Sequence, residues 1–228
     1  DALGVYGIAR DLAAAGIGTL IKPDISKISG NFKSPITINI EDKNACPVFA
    51  GRYIRGVKNG PSPEWMQRRL ISLGMKPISA LVDITNFMTH DYGRPLHVFD
   101  ADNIAGNLKV RLSKSGEKLL ALDEKEYVFD DQVCVISDNK AINSIGGVMG
   151  GAGSGTYDET KNVFLECAWF DPIGTAMTGR KLGIESDARY RFERGVDPST
   201  VLDGIEIATR LILDMCGGQP SEVEVSGK

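Results

Sequence analysis

The stretch Val163-Phe164-Leu165-Glu166-Cys167-Ala168-Trp169-Phe170 constrains the fold more than any other part of this chain. Side chains alternate across a strand, so Val163, Leu165, Cys167 and Trp169 share one face and Phe164, Glu166, Ala168 and Phe170 the other. Both faces are apolar except at Glu166. A carboxylate in such a strand is paired with a cation, protonated, or used to bind something polar, because burying it unpaired costs several kcal/mol. An ion pair with one of the chain's arginines and a ligand-binding role both remain open at this level.

A buried strand needs a core around it, and 42% hydrophobic with 25% charged residues over 228 positions supplies one. Disorder is excluded as the main state. No apolar run approaches the roughly 18 residues of a membrane helix, so no membrane role is expected. Lys and Arg total 26 against 30 Asp and Glu, a net charge of −4, which argues against an autonomous cationic nucleic-acid binder. Cys46, Cys134, Cys167 and Cys216 are widely spaced, with only His90 and His97 to help, so neither a zinc site nor a disulfide framework is expected. Four free thiols fit a reducing cytoplasm. The chain opens on Asp1 rather than Met and reads as an excerpt of a longer protein.

Along the chain, residues 2–15 predict a helix with Leu3, Ile8 and Leu12 on one side and Gly16 at its end. A polar Ser/Lys/Pro-containing stretch at 23–34 marks the first boundary. Alternation at Ile36, Ile38 and Ile40 predicts a strand, and 48–57 a second. Ser62-Pro63 predicts an N-cap and first-turn proline for a helix ending before Gly74, and Ser79 the cap of another helix reaching Asp91. Short strands are expected near 108–112, 118–122, 126–129 and 132–137. Gly146-Gly147-Val148-Met149-Gly150-Gly151-Ala152-Gly153 is too glycine-rich to be regular. A strand over 162–170, a helix from Pro172 to Gly183 and a last helix over 198–216 follow. The expected fold class is α+β, with mixed or sandwich-like sheets and peripheral helices.

The glycine stretch is neither a Walker loop nor a dinucleotide fingerprint. It serves either as a wall whose backbone N–H groups approach a ligand or as a tight strand crossing. No Ser-His-Asp or Cys-His arrangement is legible, and His97 in Gly93-Arg94-Pro95-Leu96-His97-Val98-Phe99-Asp100 has a structural as well as a catalytic reading. Arg180, Lys181, Arg189, Arg191 and Arg194 interleave with acids, as in a salt-bridged network. Residues 51–79 instead hold Arg52, Arg55, Lys58, Arg68, Arg69 and Lys76 against Glu64 alone, the better candidate for phosphate contact, although a solvated face is the commoner meaning of such a run. An acidic counterweight lies at 121–138.

Three strings resemble one family: Gly93 to Asp100, Gly147-Val148-Met149-Gly150-Gly151, and Ser186-Asp187-Ala188-Arg189-Tyr190-Arg191-Phe192-Glu193-Arg194-Gly195-Val196-Asp197-Pro198. Together they are similar to the B3/B4 domain of the bacterial phenylalanyl-tRNA synthetase beta chain. The resemblance covers 36–220, and residues 2–23 look like the end of the preceding B1 module. It implies a division into 1–34 (B1-like end plus linker), 35–220 (editing domain) and 221–228 (start of the next segment).

The resemblance further implies an editing site that hydrolyses tyrosine mis-attached to the phenylalanine tRNA. Glu166 would contact the phenol, Thr85, Asn86 and His97 would line the ester end, Gly147 and Gly150 would form the wall, and Ser186 and Ala188 the rim. The implied partners are the tRNA 3′ end and an alpha chain, in an assembly of two alpha and two beta chains. ATP and Mg²⁺ would belong to the alpha chain's site, leaving this segment without a cofactor. The other reading is a non-catalytic structural and tRNA-docking module. Departures from the family pattern are Ser186 for Thr, Arg189 for a small residue, Glu124 for Gly, and Ala176-Met177 for an Arg pair.

Overall fold

In a computed structural model that describes residues 2–228, helix α1 spans Val5–Ala14, and an irregular strap leads from it to β1 (Ile38–Ile40) and β2 (Val48–Arg55). Helices α2 (Glu64–Ser72) and α3 (Ala80–Asp91) precede β3 (His97–Asp100) and β4 (Leu108–Leu112). Then come β5 (Lys118–Leu120), β6 (Glu126–Val128), β7 (Cys134–Ser137), β8 (Ile142–Ile145), β9 (Met149–Gly150) and β10 (Asn162–Trp169). Helices α4 (Pro172–Leu182), α5 (Asp187–Phe192) and α6 (Val201–Cys216) lead to β11 (Gln219–Gly227).

The strands form a four-stranded sheet in the order β11-β2-β10-β3, a five-stranded sheet in the order β1-β4-β7-β8-β9, and the hairpin β5-β6. All pairings are antiparallel except β1 with β4. This is the α+β class with mixed, layered sheets that the pattern predicts.

The alternation in β10 sets the layers. Val163, Leu165 and Cys167 enter a core with Met66, Leu81, Ile84, Ile205 and Ile212, which belong to α2, α3 and α6. Phe164, Ala168 and Phe170 enter a second core with Phe49, Phe99, Leu108, Val110 and Ile136, between the two sheets. Each fully buried side chain of this kind contributes about 1.5–3 kcal/mol, so β10, buried on both faces, is a firm base for whatever it carries.

The buried ion pair of Arg52 and Glu206 fastens the strap to this frame. Arg52 is 2% exposed and donates from Nη1 to Glu206 Oε2 at 2.9 Å, while its Nη2 donates to the Ile28 carbonyl. The Ile28 N–H also donates to Glu206 Oε2 at 3.0 Å. At the other edge, Glu222 N–H donates to the Phe32 carbonyl and β11 pairs along β2. The basic surplus at 51–79 is therefore not one solvated face: Arg52 is a core residue, and Arg55 donates to Gln219 and stacks over the Phe32 ring.

Several local expectations are corrected. Ser62 does not cap α2; its hydroxyl donates to Asp83 at 2.5 Å, and Pro63 occupies the N-cap position. Ser79 sits at the N-cap of α3 but makes no side-chain cap bond, and Asp83 instead accepts from the Ile78 N–H at 2.9 Å. The glycine stretch is partly regular, because β8 and β9 pair across Gly146-Gly147-Val148 as a tight hairpin with φ of +71° at Gly147. The stripe of α1 is only partly covered, with Leu3 half-buried and Ile8 and Leu12 exposed. No described helix is long and apolar enough to cross a membrane.

Candidate functional site

A cavity of about 390 Å³ opens where α3, β3, the β8–β9 hairpin, β10 and the start of α5 converge. Every site residue named from the sequence lines it. Thr85 and Asn86 come from α3, His97 from the start of β3, and Gly147 and Gly150 from the hairpin. Glu166 comes from β10, and Ser186 and Ala188 from the turn into α5. Leu96, Val148, Phe170 and Phe192 make the remaining wall largely apolar.

Glu166 lies on the inter-sheet face of β10 and is 5% exposed. The arginine partner that composition offered it is absent: among the described residues it makes neither an ion pair nor a hydrogen bond. Arg94 is spent on the carbonyls of Ala168 and Asp197 and the Thr200 hydroxyl, and Arg52 on Glu206 and the Ile28 carbonyl. Burial without a cation pushes the Glu166 carboxyl up to about 8. It is therefore a neutral acid at pH 7, able to donate one hydrogen bond and accept others.

His97 stands directly across from Glu166 in the β3–β10 pairing, so both side chains project to the same side. Its Nε2 is buried and has no hydrogen-bond partner, and its ring meets Phe99 edge-on at 4.4 Å. Burial lowers its pKa to about 4. The imidazole is neutral at pH 7 and serves as a weak base or a hydrogen-bond partner rather than a cation.

The glycines are required by this crowding. A Cβ at Gly150 would lie 2.9 Å from His97 Nε2 and 3.0 Å from Leu122 Cδ1, and one at Gly147 would meet the Phe170 ring in addition to its left-handed φ. The N–H groups of Gly146, Val148 and Gly151 are consumed by the carbonyls of Cys134, Ile145 and Asn143. The Gly147 N–H has no acceptor among the described residues, so the turn leaves a backbone donor on the cavity wall.

Ser186 has a structural task that spacing did not reveal. Its Oγ accepts from the Arg189 N–H at 3.0 Å, capping α5, and donates to the Val148 carbonyl at 2.6 Å, tying α5 to the hairpin. A Thr would keep both bonds, which makes this departure conservative. Arg189 leaves the cavity altogether: it lies along Gly179 of α4 and bonds Glu193 and the Ile184 carbonyl. Ala176 and Met177 lie on α4 and do not line the cavity. The interleaved charges at 180–194 form the implied network only in part: Arg189 and Arg194 pair with Glu193 and Arg191 with Asp187, while Lys181 reaches Asp130 outside the run, and Arg180 and Glu185 make no ion pair among the described residues.

Among the lining residues that sequence reasoning did not single out, two bear on the site. Leu122, 51% exposed, reaches the wall from the β5–β6 hairpin, and its N–H donates to the Gly150 carbonyl at 3.0 Å. Its acidic neighbours hid it. Asp187 lies inside the quoted motif but, unlike Ser186 and Ala188, was not singled out. No cluster of three His, Cys, Asp or Glu with metal-holding geometry occurs among the described residues.

Cavity, layers and motifs define a domain class that comparison identifies directly. Residues 45–217 match the B3/4 domain model, and the chain belongs to that family. It is similar over its whole length to phenylalanine–tRNA ligase beta subunits, 58% identical to that of Mesorhizobium japonicum, 56% to that of Bradyrhizobium diazoefficiens and 55% to that of Rhodopseudomonas palustris. The resemblance read from the motifs is thus borne out, while the chain spans about 28% of these relatives' length. A crystal structure of an N-terminal fragment of the phenylalanyl-tRNA synthetase beta subunit from Pyrococcus horikoshii shares the fold, with a TM-score of 0.52 at 15% identity over 95% of this chain and 58% of that one.

Proposed function

We propose that this domain edits for a phenylalanine–tRNA ligase, hydrolysing the ester of tyrosine mis-attached to the phenylalanine tRNA. The observation that carries the reading is Glu166, a buried carboxyl with no partner on the floor of a cavity whose wall includes Leu96, Val148, Phe170 and Phe192. A phenol supplies its missing hydrogen bond. A phenylalanine side chain leaves that group desolvated and unpaired, at a cost of about 1–3 kcal/mol. A site built to bond a hydroxyl rejects the analogue lacking it far better than an apolar pocket rejects the added hydroxyl, about 10⁴-fold against about 10²-fold. The activation site of such a ligase needs the second kind of discrimination, and this pocket supplies the first.

In the reaction a water bound between His97 and Asn86 attacks the ester carbonyl. The neutral imidazole orients it and accepts its proton as the tetrahedral intermediate forms, and the ribose hydroxyl leaves with a proton. The unpaired Gly147 N–H donates to the developing oxyanion. A base with a pKa near 4 is weak at neutral pH, so positioning by Thr85, Asn86 and the glycine wall supplies much of the rate. Net charge of −4 suits a pocket that receives one tRNA end while other parts of the ligase hold the rest. Amino-acid activation, with its ATP and Mg²⁺, is assigned to the alpha chain of a two-alpha, two-beta cytoplasmic assembly.

The test is deacylation of purified Tyr-tRNA(Phe) by the full ligase and by its His97→Ala variant. The reading expects wild-type hydrolysis and a drop of about 10²-fold in the variant. Full activity in His97→Ala would remove His97 from the mechanism. Absence of wild-type hydrolysis would leave the structural and docking reading standing.

A further inference from the structure

The cavity has a polarity that the editing reading leaves unused. Glu166 sits on its floor, whereas the Asp187 side chain, at the start of α5, is 57% exposed and stands at its mouth. His97, Glu166 and Asp187 are the titratable groups among the lining residues. Burial keeps the first two neutral at pH 7. Asp187 is held in an ion pair with Arg191, which lies behind the wall rather than in it. The charge that the wall presents to a ligand is a single carboxylate at the entrance.

That carboxylate is fixed in place. Arg191 Nη1 donates to Asp187 Oδ1 at 3.1 Å and to its main-chain carbonyl at 3.0 Å. Arg191 is itself anchored, through Nε to the Leu3 carbonyl and through Nη2 to His90 Nδ1 at 3.1 Å. Because Nδ1 accepts there, the His90 ring proton is on Nε2, which faces Asp187 Oδ2 across 3.5 Å. That separation exceeds a good hydrogen bond, and His90 Nε2 has no other partner. Oδ2 is therefore oriented from behind while retaining acceptor capacity toward the mouth.

An aminoacyl ester offers a neutral side chain, a neutral ester and one charge, the α-ammonium beside the carbonyl. With the side chain on the Glu166 floor and the ester near His97, the ammonium lies toward the mouth. We propose that Asp187 captures this α-ammonium, making it a specificity-determining residue that restricts the pocket to esters with a free amine; the inference rests on the editing reading above. N-acylated or peptidyl esters, which lack the charge, are refused at the entrance. The hydrogen-bonded ion pair gives a discrimination of about tenfold or more.

The experiment uses the full ligase and two esters of the same tRNA, tyrosyl and its desamino counterpart 3-(4-hydroxyphenyl)propanoyl. Each rate is divided by that ester's spontaneous hydrolysis, because an α-ammonium activates the ester even without protein. Wild type should accelerate the tyrosyl ester about tenfold more than the desamino ester. Asp187→Asn, which keeps an acceptor for Arg191, should reduce tyrosyl kcat/KM about tenfold and leave the desamino ester within about threefold. Asp187→Glu should restore part of the preference. Equal loss on both esters, or a preference that survives in Asp187→Asn, overturns the proposal. If wild type accelerates neither ester, the editing reading fails on its own. Binding of tyramine against 4-ethylphenol, followed by NMR on the same proteins, then decides the capture. Tighter tyramine binding in wild type, lost in Asp187→Asn, supports it, and equal affinities in wild type overturn it.

Discussion

Glu166 and His97 are cross-strand neighbours on β10 and β3, and each presents a polar group to the cavity that nothing in the described chain satisfies. Groups of this kind oppose stability, so their presence side by side on two buried strands is the clearest physical sign that the cavity binds something.

Their opposed shifts give a pH signature. Glu166 is raised from 4.5 to about 8, so its stabilising contribution is complete below 4.5 and is lost as pH rises toward 8. His97 is lowered from 6.5 to about 4, so its contribution is complete above 6.5 and is lost as pH falls toward 4. Between 4.5 and 6.5 the two slopes cancel, and from 6.5 to 8 Glu166 acts alone. Unfolding free energies from urea denaturation should fall across that upper window by about 1.4 kcal/mol per pH unit. Glu166→Gln should abolish the decline, and an unchanged slope in that variant would mean that Glu166 is not the group responsible.

Gly150→Ala places a methyl group within 2.9 Å of His97 Nε2 and 3.0 Å of Leu122 Cδ1. Such a clash costs about 1–3 kcal/mol and displaces the imidazole from the wall. Deacylation should drop at least about tenfold while the variant remains folded by circular dichroism. Unchanged turnover would show that the wall tolerates movement there.

Glu124 adopts a φ of +64° at the tip of the β5–β6 hairpin, the one non-glycine left-handed residue among those described. Relief of the left-handed strain, about 1–2 kcal/mol, outweighs the added chain entropy of glycine, about 0.4–1 kcal/mol. Glu124→Gly should raise the thermal midpoint by a few degrees, and a lower midpoint would refute the assignment.

The layers were legible because alternation in β10 is unambiguous, and so were α4, which carries Pro172 at its start and Gly183 at its end, and the body of α6, which ends at Gly217 but starts at Val201, after a 3₁₀ turn at Pro198–Thr200 rather than at Pro198. The α5 helix was hidden inside a charged motif, since Asp187, Arg189 and Arg191 gave no apolar period. Ser62 misled because a serine before proline satisfies the capping pattern, whereas burial beside Asp83 redirected its hydroxyl. Site residues were read from a resemblance. The roles of Asp187 and Leu122 needed three dimensions, because neither the depth of the cavity nor the reach of a separate hairpin is written in local spacing.

Arg52 illustrates the same limit, since a basic run implied an exposed face. Removing one partner of its buried pair with Glu206 leaves an uncompensated charge. Arg52→Met should cost about 3–5 kcal/mol in chemical denaturation, and adding Glu206→Leu should recover most of it. A small effect of the single substitution would contradict the clamp assigned to this pair.

The central claim is that the Glu166 carboxyl tells a phenol from a phenyl ring. The measurement is the ratio of deacylation rates for Tyr-tRNA(Phe) and Phe-tRNA(Phe), in the full ligase and in Glu166→Ala. The account predicts a strong tyrosine preference in the wild type that falls at least about tenfold in the variant, chiefly through slower tyrosine release. An unchanged ratio would contradict it.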